Sequence, residues 1–124
     1  MSTDQRAEAL AHLAAHIRET VDFVRRQVRE GQPASAAAHL DREAKRVRGD
    51  DDKSRVLNAV LNGTAATLRE EVVDREAALA ELEAIGALCE ALSREGALPL
   101  HDDMAARLGR HVSPNELRSL VTKQ

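Results

Sequence analysis

Apolar residues recur every three or four positions along much of this 124-residue chain, and this spacing constrains its fold more than any other feature. The clearest series comprises six aliphatic residues near the N-terminus: Leu10, Leu13, Ile17, Val21, Val24 and Val28. On a helix these positions lie within roughly 80° of arc and form one narrow stripe. Ser2 and Gln5 have capping-box spacing and Gly31 is a helix-ending residue, so we predict a first helix over residues 4–30.

A second aliphatic series predicts a long helix over residues 53–95. Its members are Leu57, Leu61, Leu68, Val72, Leu79, Leu82 and Cys89. Asn62-Gly63-Thr64 interrupts the series, and Asn-Gly is ordinarily a turn signal. Two interpretations follow: one bent helix, or two helices hinged at Gly63. The series keeps its phase across Gly63, which favours the continuous helix.

Two shorter elements complete the predicted fold. Small and aliphatic residues at helical spacing indicate a short helix over residues 34–48. Ser113, Pro114 and Glu116 form a strong helix start within a C-terminal helical pair over residues 101–123. We therefore expect a single all-α domain over residues 1–124, an antiparallel helical bundle with two long helices and a short C-terminal helical pair.

Composition narrows the classes of function. Phe23 is the only aromatic residue, which argues against a β-sandwich and against a base-stacking surface for single-stranded nucleic acid. The formal net charge of −3 argues against non-specific duplex binding. A lone cysteine cannot form an internal disulfide and indicates a reducing compartment. No apolar run approaches the length of about 18 residues that spans a membrane, so we expect a cytoplasmic protein.

The C-terminal region is similar to a helix-turn-helix. The spacing from Ala105 to Gly109 would let two helices cross closely, but the following turn is about two residues longer than in the tight motif. We expect two short helices that close the end of the bundle and regard nucleic-acid binding as the disfavoured alternative. Its candidate contacts are Arg107, Arg110 and Arg118.

No catalytic residue, cofactor or metal site is expected. His12 and His16 have the i, i+4 spacing of a metal-binding pair, and Glu8 could supply a third ligand. His12 lies far from the apolar stripe, however, so we expect it in water, without the supporting ligands a site needs. Cys89 has no neighbouring base and is expected to be a small buried hydrophobe, while His111 has no partner of catalytic spacing.

Two stretches, residues 55–61 and 87–96, carry a resemblance to a known family. Arg55 and Val56 are followed by Asn58 and Ala59, and the later stretch is a Leu-rich helix that ends in Gly96. This pattern resembles a small bacterial all-helical domain of unknown function, found beside or fused to aminoglycoside-phosphotransferase-like kinases and acyl-CoA enzymes. The resemblance covers about half of the chain. It implies an accessory, partner-binding role and brings no catalytic residues.

The predicted apolar stripes are longer than the short second helix can cover, so we expect another chain to cover the remainder. The sequence thus predicts a non-enzymatic interaction protein that self-associates, with a dimer as the first expectation and a further protein partner expected. A dimeric DNA-binding regulator is the alternative. The expected interface residues are Leu10, Leu13, Ile17, Val21, Val24, Val28, Leu68, Val72, Leu79 and Leu82.

Overall fold

The computed structural model describes residues 3–48, 52–94 and 106–113. Within these ranges the chain forms four α-helices and no strand: α1 (Thr3–Arg29), α2 (Pro33–Arg46), α3 (Asp52–Leu68) and α4 (Arg75–Ser93). The predicted all-α class is confirmed. None of the helices in the described ranges is long and apolar enough to span a bilayer.

The α1–α2 connection follows from local backbone chemistry. Gly31 has a φ of +80°, a conformation that glycine adopts without strain. The Gly31 N–H donates to the Val28 carbonyl over 3.1 Å, and the Gln32 N–H donates to the Gln27 carbonyl over 2.9 Å. These two bonds form a Schellman motif, which ends α1, and Pro33 then occupies the first turn of α2. Both helices lie within two residues of the predicted bounds.

The predicted helix over residues 53–95 is instead two helices, separated at residues 69–74. The Asp74 carboxylate accepts a hydrogen bond from the Ala77 N–H over 3.1 Å and caps the start of α4. Val72 and Val73 precede this cap, and β-branched residues have a slightly reduced helix propensity. Gly63 is not the hinge, since it lies inside α3.

The helices bury their aliphatic stripes against one another. α1 packs mainly against α4, and α2 packs mainly against α3, whereas α3 and α4 pack against each other less extensively. The core combines branched residues with alanines and includes Ile17, Val21, Leu40, Leu57, Leu61, Ala84 and Ile85, all at most 1% exposed.

This packing accounts for most of the residues expected at an interface. Six of them lie in the core of a single copy at no more than 1% exposure: Ile17, Val21, Val24, Val28, Leu68 and Leu82. Leu10, Leu13 and Leu79 are partly buried against the same core. Val72, in the α3–α4 connection, is 83% exposed. A second chain is therefore not required to cover these stripes.

Candidate functional site: where residues 106–113 dock on α3 and α4

Residues 106–113, here called the C-terminal segment, form a compact turn. The Gly109 N–H donates to the Ala106 carbonyl, and the N–H groups of His111 and Val112 both donate to the Leu108 carbonyl. Helical spacing places Leu108, His111 and Val112 on one side of the turn. Leu108 is fully buried and Val112 is 9% exposed, so this side joins the hydrophobic core.

A buried carboxylate on α4 receives the C-terminal segment. The side chain of Glu81 is 4% exposed, and its Oε1 lies 2.6 Å from His111 Nε2, the donor of this hydrogen bond. Thr64 on α3 donates to the same oxygen over 3.1 Å, and Arg110 donates to Oε2 over 3.4 Å. Because an ionised carboxylate only accepts hydrogen bonds, its burial depends on such donors. Two of the three come from the C-terminal segment.

A glycine on α3 makes room for the imidazole ring. A Cβ placed on Gly63 would lie 2.2 Å from Nδ1 of His111 and 2.6 Å from its Cγ, well inside van der Waals contact. The ring therefore rests directly on the helix backbone at Gly63 while its opposite nitrogen reaches Glu81. We call Gly63, Thr64, Glu70, Glu81 and Glu83 the docking site.

The remaining members of the docking site are acidic and face arginines of the C-terminal segment. Arg107 Nη1 lies 3.7 Å from Glu83 Oε2, and Arg110 Nη2 lies 3.8 Å from Glu70 Oε1. These pairs are partly solvated, so each contributes at most about 1 kcal/mol. They orient the C-terminal segment, whereas the His111–Glu81 hydrogen bond and the buried Leu108 and Val112 supply most of the attachment.

A second buried carboxylate provides an internal comparison. Glu43 on α2 is 4% exposed at its side chain, and it accepts a short hydrogen bond from Thr20 on α1. His16 Nε2 lies 3.2 Å from Glu43 Oε2, and Arg46 Nη1 lies 3.3 Å from Oε1. Both sites thus combine a threonine, a buried glutamate, a histidine and an arginine. The α1–α2 site takes all four groups from its own helices, whereas the α3–α4 site is completed by the C-terminal segment.

The residues considered for a metal site are not brought together. Glu8 and His12 are exposed. His16 faces Glu43, and its Nε2 also lies 2.8 Å from Arg46 Nη1. The guanidinium of Arg46 therefore occupies the place beside the carboxylate that a metal ion would take. Across the described ranges, no three His, Cys, Asp or Glu side chains form a group that could hold a metal ion.

The candidate nucleic-acid contacts face carboxylates of their own chain. Arg107 pairs with Glu83, and Arg110 contacts both Glu70 and Glu81. Arg118, and most of the predicted helical pair over residues 101–123, lie outside the described residues. The arginines in the described part of the C-terminal region therefore pair with carboxylates of the same chain.

Cys89 is a core group. Burial raises the pKa of its thiol to about 12, with nearby Glu43 adding to the effect and Arg18 opposing it. The thiolate is the nucleophilic form of cysteine, so this environment suppresses the reactivity of Cys89.

Sequence reasoning missed the docking site for an identifiable reason. His111 and Glu81 are far apart in the chain, and Gly63 carried an apparent turn signal. One sequence signal was available: Glu81 stands at helical spacing between the buried Ala78 and Ile85, so it occupies a core-facing position. A charged residue at such a position requires a buried partner.

No protein-family model, curated protein or solved structure matches this chain. The resemblance to the small bacterial helical domain therefore stays a prediction, and the docking site is the feature of the molecule from which a function can be argued.

Proposed function

We propose that this chain is an antiparallel helical bundle that acts as a non-enzymatic protein-interaction module and holds a short helical segment at the docking site. The observation that carries the proposal is the seating of the C-terminal segment, whose His111 enters between Gly63 and the buried Glu81. The first occupant of the docking site is part of the chain itself. A segment of a protein partner with the same side chains is the competing occupant.

The chemistry of the docking site makes it selective. An occupant needs an imidazole opposite Glu81, since a segment without one leaves a buried carboxylate short of a donor, at a cost of about 1–3 kcal/mol. It also needs apolar groups three residues before and one residue after the histidine, as Leu108 and Val112 are placed. The recognised pattern is one helical turn with an aliphatic, an imidazole and a second aliphatic group on one side.

The proposed class of function is the one that the sequence predicts, but the proposed interface is the docking site and no longer the apolar stripe. The expected apolar stripe is buried within one copy, so the docking site takes its place as the proposed surface. Self-association, a protein partner and the accessory role implied by the resemblance all belong to the proposal. A cytoplasmic location also belongs to it, in keeping with a single cysteine.

A labelled peptide tests the proposal on the 124-residue chain. The probe is a fluorescent peptide of residues 101–124, and the receptor is the His111→Ala chain, whose own segment has lost its imidazole. We expect the peptide to bind this variant roughly tenfold more tightly than it binds the unaltered chain, where the tethered segment competes at a high effective concentration. Fluorescence anisotropy measures both affinities.

Two controls make the test specific. The same peptide carrying His111→Ala should bind at least about tenfold more weakly, the loss expected for one buried hydrogen bond. A receptor with both Gly63→Ala and His111→Ala should also bind the unaltered peptide weakly, because the new Cβ occupies the position of the ring. Equal affinity for the two peptides, or no binding to the His111→Ala chain, would contradict the proposal.

A further inference from the structure

We infer that concentrated protein exchanges the C-terminal segment between two copies of this chain, so that the docking site of each copy then holds residues 106–113 of the other. The inference rests on the proposed function and names its partner: a second copy of the chain. The product is a two-fold symmetric dimer in which each copy contributes to both sites.

The contacts that hold the C-terminal segment allow this exchange. His111, Arg107 and Arg110 form their polar contacts with α4 and with the α3–α4 connection, and the ring of His111 lies against α3 at Gly63. Eleven residues, 95–105, separate Arg94 from Ala106 in the sequence. A fully extended chain of that length spans at most about 35–40 Å, which limits how far apart the two copies can lie. The same contacts therefore form within one chain or between two.

Complementarity makes a second copy a matching occupant of the docking site. Gly63 leaves room for the ring of His111, and Glu81 accepts hydrogen bonds from both His111 and Arg110. Glu83 faces Arg107 at the edge of the site. Every copy of the chain carries both the docking site and the segment that matches it. Exchange in both directions also closes the assembly at two molecules, since no docking site is left empty.

Concentration decides between the two arrangements. A segment tethered to its own docking site has an effective concentration in the millimolar range, so the closed monomer should dominate in dilute solution. The exchanged dimer should become prominent when protein is concentrated, or when docking within one chain is impaired and docking between chains is not.

Two complementary variants impair docking within one chain and leave docking between chains possible. A Gly63→Ala chain has a blocked docking site and an unaltered segment, while a His111→Ala chain has an unaltered docking site and a defective segment. In an exchanged mixed dimer, one site pairs Gly63 with His111 as in the unaltered protein. The other pairs two alanines, so the added Cβ no longer meets a ring.

The experiment mixes the two 124-residue variants, distinguished by mass, at about 100 μM, a concentration below the effective concentration of a tethered segment. We expect the mixed dimer to exceed either homodimer at least about tenfold in native mass spectrometry, as one restored buried hydrogen bond predicts. Gly86→Ala is the matched control for the glycine change, because a Cβ there meets only Val21 Cγ1 at 3.8 Å. A mixture of Gly86→Ala and His111→Ala should show no such excess.

The outcomes separate this inference from the proposed function. A mixture that stays monomeric, or one that dimerises equally with the Gly86→Ala chain, overturns segment exchange. If the 101–124 peptide still binds the His111→Ala chain in that case, the docking site recognises segments but copies do not exchange them. If the peptide also fails to bind, both the proposed function and segment exchange are wrong. Should Gly63→Ala lose its helical circular dichroism, Glu81→Met replaces it as the variant with a defective docking site.

Discussion

At the scale of single residues, two helical glycines have opposite roles. A Cβ on Gly86 would make an ordinary contact with Val21, whereas a Cβ on Gly63 would overlap the ring of His111. Glycine lowers helix stability by about 1 kcal/mol relative to alanine, so both changes gain helix propensity. Only the change at Gly63 also displaces a hydrogen-bonded ring, that of His111, whose side chain is 10% exposed.

Gly86→Ala should therefore raise the free energy of unfolding by about 0.5–1 kcal/mol. Gly63→Ala should lower it by about 1 kcal/mol, because loss of the His111–Glu81 hydrogen bond outweighs the gain in propensity. Urea unfolding followed by circular dichroism measures both values. Equal stabilisation by the two substitutions would show that the imidazole does not rest on α3.

The thiol of Cys89 makes stability depend on pH in the alkaline range. Burial, followed by the charge of Glu43, raises its pKa from 9.0 to about 12, with Arg18 opposing. Above pH 9 the unfolded chain releases the thiol proton while the folded chain retains it, so alkali favours unfolding. The stability contributed by the neutral thiol is present below pH 9 and is lost progressively as the pH rises towards 12.

Cys89→Ala isolates this contribution. The difference in unfolding free energy between the unaltered chain and the variant should fall by up to about 1.4 kcal/mol for each pH unit above 9. Urea titrations at pH 8 and pH 10.5 measure it, and groups common to both chains cancel in the difference. A difference that stays constant over this interval would contradict the burial of the thiol.

At the scale of elements, the sequence predicted the connection between α1 and α2 but not the break between α3 and α4. The α1–α2 connection was predicted because Gly31 and Pro33 act locally on the backbone. The α3–α4 connection was missed because the aliphatic spacing continues through it to Val72, which is exposed in the structure. Residue spacing records which side of a helix a residue would occupy, and it does not record that the helix has ended.

The Asp74 cap is the local signal that marks the break. Asp74→Ala should lower the unfolding free energy by about 1 kcal/mol, the usual cost of losing a side-chain cap, because the Ala77 N–H loses its partner. Glu71→Ala in the same connection is the control and should change stability by less than about 0.5 kcal/mol, as exposed positions do. Thermal unfolding measures both, and an equal effect of the two would count against the cap.

At the scale of the whole molecule, the same break explains why one copy covers its own stripes. A continuous helix over residues 53–95 would extend past α1 and leave apolar surface uncovered. Division at residues 69–74 gives two shorter helices, of which α4 packs on α1 and α3 packs on α2. The sequence-based expectation of an uncovered stripe followed from the missed break, and the docking site was hidden because its members come from three separate stretches of chain.

The molecule therefore divides into a helical core with its own packing and a C-terminal segment held mainly by one hydrogen bond to a buried carboxylate and by two apolar side chains. His111→Ala should release the segment without unfolding the core. Hydrogen exchange at the amides of Gly109, His111 and Val112, which are bonded within the segment's turn, should accelerate about 10-fold to 100-fold, matching the loss of one buried hydrogen bond.

Amides in α1 should keep their protection in the same variant, since α1 packs on α4 and α2 and takes no polar group from the C-terminal segment among the described contacts. Loss of protection throughout the chain would mean that the segment and the core unfold as one unit. A segment that cannot leave without unfolding the core could not be exchanged between copies. This measurement therefore also tests whether a segment-exchanged dimer can form.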